Sequence, residues 1–68
     1  MIKHLVCVDP FNNHFKDYTA ELIGTNVLCK WGRIGQTHQS KEFEFDTIQE
    51  AVNFFNKKIT EKLQRGYQ

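Results

Sequence analysis

Glu42-Phe43-Glu44-Phe45-Asp46-Thr47-Ile48-Gln49-Glu50-Ala51-Val52 is the stretch where the sequence changes period, and that change decides the fold. Before Asp46, acids and aromatics alternate. Successive side chains of an extended chain point to opposite faces, so Phe43 and Phe45 share one face and Glu42 and Glu44 the other. The alternation predicts a half-buried antiparallel strand over Gln39–Asp46. After Asp46 the apolar residues recur at helical spacing: Ile48, Ala51, Val52, Phe55, Ile59 and Leu63 form one stripe, with Phe54 off-centre and placed to cover an edge. Thr47 stands at the start of this pattern. Its hydroxyl can accept from the third helical N–H, while Glu50 can reach back to the Thr47 N–H. Gly66 supplies a stop, and Lys62 and Arg65 suit the negative end of the helix dipole. A helix from about Ile48 to Gln64 follows, with Phe43, Phe45, Val52, Phe55 and Ile59 expected between it and a sheet.

Upstream, the period of two continues. Ile2–Val8 is β-branched and apolar and reads as a first strand, ended by Asp9-Pro10 because proline cannot continue a ladder. Phe11-Asn12-Asn13-His14 reads as a turn. Phe15–Ile23 is a second strand, whose more apolar set (Lys16, Tyr18, Ala20, Leu22) should face the core. Gly24-Thr25-Asn26 makes a hairpin turn into a third strand, Val27–Ile34, and Gly35-Gln36-Thr37-His38 turns the chain again. Four antiparallel strands with one amphipathic C-terminal helix on one face make a two-layered α+β domain spanning residues 1–68. The other face of the sheet holds more polar groups and is open to a partner.

The third strand ends in Lys30-Trp31-Gly32-Arg33-Ile34-Gly35, which holds the one Trp of the chain. Trp31 and Arg33 should point to the same face, with Gly32 bare on the other. A flat aromatic ring beside a guanidinium suits a base, a sugar or a phosphate. The same pair also suits a plain structural role, with a large core ring and an arginine lying along it.

Composition removes most other chemistries. The chain of 68 residues has room for one small domain, and no apolar run is long enough for a transmembrane helix. The N-terminal apolar run is too short and broken for a signal peptide, and two isolated cysteines, Cys7 and Cys29, fit a reducing compartment, so a cytoplasmic setting is expected. His4 and Cys7 would face opposite ways on a strand and there is no Cys-x-x-Cys pair, so neither a metal nor another cofactor is expected. His4, His14 and His38 have no serine or cysteine partner in a recognisable motif, and Gly32-x-x-Gly35 lacks the Lys-Ser/Thr of a phosphate loop, so an enzyme is not expected. Net charge is only +1, but its distribution is uneven: from Ala51 onward, Lys57, Lys58, Lys62 and Arg65 face the single acid Glu61. A modest basic end results, which can be a binding surface or a solvated helix face.

Taken together, Trp31-Gly32-Arg33-Ile34-Gly35, the following Gln39-Ser40-Lys41, the helix carrying Ala51 and Phe55, and the Gly66-Tyr67 ending resemble the WGR domain over essentially the whole chain, from Ile2 to Tyr67. The resemblance implies an antiparallel sheet with one helix. It also implies DNA binding at breaks, the role of this domain in DNA-dependent poly(ADP-ribose) polymerases, where the motif Trp and Arg lie at the DNA and interdomain contact. By position these are Trp31 and Arg33, with Lys62 and Tyr67 as weaker counterparts near the helix end. His38 departs from the family, which often has a glycine in that turn. Because His tolerates positive φ, His38 is expected in that conformation.

Two functions stay open. One is a non-catalytic nucleic-acid-binding module that recognises DNA ends or nicks through Trp31 and Arg33, with Lys30, Lys41, Lys62 and Tyr67 assisting, nucleoid-associated within the cytoplasm. The other is a docking module whose open sheet face takes another protein or domain, or a second copy in a homodimer. No membrane partner is expected.

Overall fold

The computed structural model describes residues 1–68. Four strands run in chain order across one antiparallel sheet: β1 (Ile2–Asp9), β2 (His14–Ile23), β3 (Asn26–Arg33) and β4 (Gln39–Glu44). One helix, α1 (Ile48–Gln64), crosses the middle of it. A 3-10 turn, Pro10–Asn12, and Asn13 at φ 55 close the β1–β2 hairpin. A two-residue turn, Gly24-Thr25, closes the next, so Ile23 pairs with Asn26 and Tyr18 with Trp31. The turn expected over three residues is thus one shorter, and Gly24 at φ 59 takes the conformation that side chains resist.

The helix ends behave as their residues dictate. Thr47 Oγ1 accepts from the Glu50 N–H at 3.2 Å. The reciprocal half of the box differs from expectation, because the Glu50 carboxylate accepts a hydrogen bond from the Thr47 hydroxyl, at 3.0 Å, in place of one from the Thr47 amide. At the other end Gly66 adopts φ 94, the Tyr67 N–H reaches the Lys62 carbonyl (3.0 Å) and the Gly66 N–H the Leu63 carbonyl (3.3 Å). This is a Schellman closure, with glycine at the left-handed position. It turns Tyr67 back toward the core, and Gln68 then exchanges two 2.8 Å bonds with Val6 on the outer edge of β1.

Leu5, Tyr18, Ala20, Val27, Cys29, Ala51 and Phe55 are buried. The face expected of β2 is therefore the core face, and Phe55 lies at its centre, 4% exposed. Phe43, Phe45, Val52 and Ile59 are only partly buried, a correction to the expected core. Phe43 lies on the edge strand β4 and Phe45 just beyond it, where the helix backbone does not reach. Phe54 covers them instead, with ring centroids 4.5 and 5.1 Å away. Ile48 and Leu63, counted into the apolar stripe, are 62% and 50% exposed because the helix packs on β2 and β3 and its two ends overhang. Inside the core the Tyr18 hydroxyl donates to Cys29 Sγ at 3.0 Å. Burial first, then that sulfur, push the phenol well above its usual pKa.

His38 does not have positive φ, contrary to expectation; Asn13 is the one non-glycine residue that does. Gly35, at φ 82, completes the turn in which the Gln36 N–H reaches the Arg33 carbonyl. The chain then enters β4 without further strain.

Candidate nucleic-acid interface

The β2–β3 register sets Trp31 beside Tyr18 on the helix-covered face, two pairs beyond Ala20 and Cys29. Here a groove of about 240 Å³ lies open between the sheet and the C-terminal half of α1. Tyr18, Trp31 and Phe43 line it from the sheet; Lys58, Glu61, Lys62 and Arg65 line it from the helix. The helical residues are spaced by three and four, so they form one row along the groove. Three cations against one acid leave this row positive, and the Lys58–Glu61 pair, at 3.8 Å, neutralises only one of them.

Lys62 is the cation of this row that faces two aromatic rings. Its Nζ stands 4.9 Å from the Tyr18 ring centroid and 5.4 Å from that of Tyr67, held between two aromatic faces. Partial burial lowers its pKa, and the neighbouring charges of Arg65 and Lys58 lower it further. Tyr67 shifts upward, chiefly by burial. An ammonium group that is partly stripped of water and crowded by like charges gains when an anion arrives, because the anion relieves both costs. Lys41 adds a further ammonium group beside the groove, 5.2 Å from the Phe43 ring centroid.

Of the residues singled out from sequence, Trp31, Lys62, Tyr67 and Lys41 therefore gather on one face. Trp31 is partly buried, with one part of its ring packed on the core cluster. Arg33 starts from the same face, as expected, but its guanidinium turns away from the groove. It donates to the Asn13 carbonyl (3.3 Å) and to Asn13 Oδ1 (3.1 Å), and lies 5.2 Å from the Phe15 ring centroid. It braces the β1–β2 turn and does not lie along the Trp31 ring. Lys30 pairs with Thr19 and Ser40 and points to the opposite face of the sheet. Tyr18 and Phe43 read from the sequence as core residues, and Lys58, Glu61 and Arg65 as part of a basic helix end, none of them as a named site residue. The helical spacing of Lys58, Lys62 and Arg65 was a readable signal; the position of Tyr18 opposite Trp31 depends on the length of the hairpin turn.

Gly32 has a specific structural reason. Its bare face is covered by His38, and a Cβ built there would stand 3.2 Å from the His38 Cα, Cγ and Cδ2 atoms. The glycine between Trp31 and Arg33 thus lets the β3–β4 loop fold flat against the sheet.

The WGR domain matches residues 1–68. Mouse protein mono-ADP-ribosyltransferase PARP3 is 34% identical over an alignment of 61 residues that covers 84% of this chain and 11% of that protein. A crystal structure of a Bacteroides fragilis protein superposes with a TM-score of 0.90 at 28% identity, over 98% of this chain and 18% of that one. The chain thus spans a small fraction of each relative, and the transferase activity in the mouse protein's name is said of that protein. By its match along its whole length, the chain belongs to the WGR domain family.

Proposed function

We propose that this domain is a non-catalytic nucleic-acid-binding module that recognises DNA ends or nicks through the groove beside Trp31. The observation that carries the reading is the juxtaposition of the Trp31 ring with Lys58, Lys62 and Arg65 in one open groove. A sugar or base stacks on an aromatic ring only where the duplex exposes it, at an end or a nick. The adjoining phosphates then meet the ammonium and guanidinium groups of the helix row. Lys62 lines the groove near the helix end with Tyr67 stacked behind it, Lys41 extends the positive rim, and Arg33 acts by fixing the end of the β3 strand. Within a cell such a module works in the cytoplasm, on the nucleoid.

Few cations are available, so salt dependence is shallow, about two to four phosphate contacts' worth. The test is a titration of a nicked or blunt-ended DNA hairpin against a closed circle of the same sequence, at low and moderate salt, followed by the fluorescence of Trp31. Preference for the hairpin supports the reading, and equal binding to both removes end recognition. No binding to either at low salt leaves a protein-docking role on the open sheet face, where Ile2, Val8 and Ile23 are exposed. Lys62→Gln is expected to weaken binding and Lys30→Gln to leave it unchanged, because Lys30 lies on the other face.

A further inference from the structure

On the open face of the sheet, away from the groove, three chain segments bring His4, Asp17 and His38 together. Asp17 of β2 is the register partner of Gly32. Since Gly32 has no side chain, the His38 ring lies across it and reaches the carboxylate: His38 Nε2 hydrogen-bonds Asp17 Oδ1. The other ring nitrogen, Nδ1, is 2.7 Å from the Gln36 carbonyl oxygen. Both partners can only accept. A carbonyl has no proton to give, and neither has an ionised carboxylate. A neutral imidazole carries one N–H and would set the lone pair of its other nitrogen against an acceptor. The imidazolium ion donates at both nitrogens and satisfies both.

We propose that protonated His38 is a latch that holds the β3–β4 loop flat against Gly32 and β2, and that loss of its proton releases the loop. The loop leaves β3 directly after Arg33, so the latch acts on the segment that follows the Trp-Gly-Arg strand. The charged and titratable groups around it come from each neighbouring strand. Asp17 of β2 favours the proton, and Lys30 of β3 opposes it. His4 of β1 places Nε2 3.6 Å from the other oxygen of Asp17. Glu42 of β4 is engaged by Asn26 Nδ2 at 3.0 Å. α1 packs on the opposite face.

The pKa moves in the direction that geometry requires. The hydrogen bond to Asp17 raises it above 6.5, the Gln36 carbonyl adds to the rise, and burial and Lys30 oppose it. A folded-state pKa above the unfolded one contributes stability that is fully present below about pH 6.5 and is lost as pH rises through the raised value. The latch is closed in mildly acidic solution and opens on the alkaline side of its own titration.

The test is a ring-nitrogen NMR titration of the whole chain from about pH 5 to about pH 9, a range that brackets an ordinary histidine. The expected result has His38 protonated at both nitrogens at the acid end, with a midpoint above that of a free histidine. The amide signals of Gln36, Thr37 and His38 should move along the same curve, and their protection from hydrogen exchange, relative to the intrinsic rate at each pH, should fall above it. Asp17→Asn should return the midpoint to the ordinary range. If that variant does not fold, the wild-type ring titration decides alone. A midpoint at or below the ordinary value, or loop amides indifferent to the His38 titration, would overturn the proposal.

Discussion

Gly32→Ala separates a steric role for the motif glycine from a merely permissive one. Two effects oppose each other. Gly32 lies inside β3 and is not among the positive-φ residues, so alanine fits its backbone and removes unfolded-state freedom, a gain of about 0.5–1 kcal/mol. Against this, the new Cβ would sit 3.2 Å from three atoms of His38, one of them backbone, and the loop must retreat by a few tenths of an ångström. Overpacking of this kind costs about 1–3 kcal/mol. A loop can yield more than a core, so the net expectation is a loss of about 1 kcal/mol, which lowers Tm by about 4–8 °C in a domain of this size. Replacing His38 by glycine removes two of the three crowded atoms and unties the loop. In that background Gly32→Ala should be neutral or stabilising. Thermal and denaturant melts of the four proteins, run near pH 6 where the latch is closed, measure the sign change. If Gly32→Ala raises Tm in the parent, or costs the same in both backgrounds, His38 does not rest on Gly32 in solution and the reasoning is refuted.

Three further outcomes are expected. Thr47→Ala should cost about 1 kcal/mol, because the Glu50 N–H loses its acceptor; an unchanged melt would mean that Thr47 does not cap α1 in solution. Phe55→Ala should cost about 3–5 kcal/mol, a large share of a small domain's stability, and a cooperatively folded variant with a near-parent Tm would contradict the central position of Phe55. Arg33→Ala should lower stability modestly, by about 1 kcal/mol, since exposed charged hydrogen bonds are screened by water, and should increase hydrogen exchange at Asn13 and His14; exchange confined to β3 would show that the brace to Asn13 is absent.

The features legible in the sequence are those set by neighbours a few residues apart. The Thr47 cap, the helix from Ile48 to Gln64 and the glycine stop at Gly66 follow from local chemistry, and the alternation in β2 assigns Tyr18 and Ala20 to the core. What escaped depends on cross-strand register. A three-residue turn at Gly24-Thr25-Asn26 would set Trp31 opposite Thr19; the two-residue turn sets it opposite Tyr18, and a slip of one residue exchanges the faces of a strand. The groove, with Phe43 and Lys62 around Trp31, exists only in the observed register. The position of His38 was misread for a related reason. Gly35 supplies the one positive φ that the loop needs, and the partner of the His38 ring, Asp17, lies 21 residues away in the chain. Arg33 likewise shares a face with Trp31, as alternation requires, but its long side chain finds two oxygens of Asn13 at the end of the sheet.

The central claim is that nucleic acid enters the groove between Trp31 and the basic row of α1. The most direct measurement is a residue-resolved NMR titration of the isotopically labelled chain with a nicked DNA hairpin at low salt. The largest shifts are expected at the Trp31 indole N–H and at Lys58, Lys62, Arg65 and Tyr67. Small shifts are expected at Thr19, Glu21, Leu28 and Lys30, which lie on the opposite face. Shifts centred on that opposite face, or a spectrum unchanged by DNA, would contradict the claim.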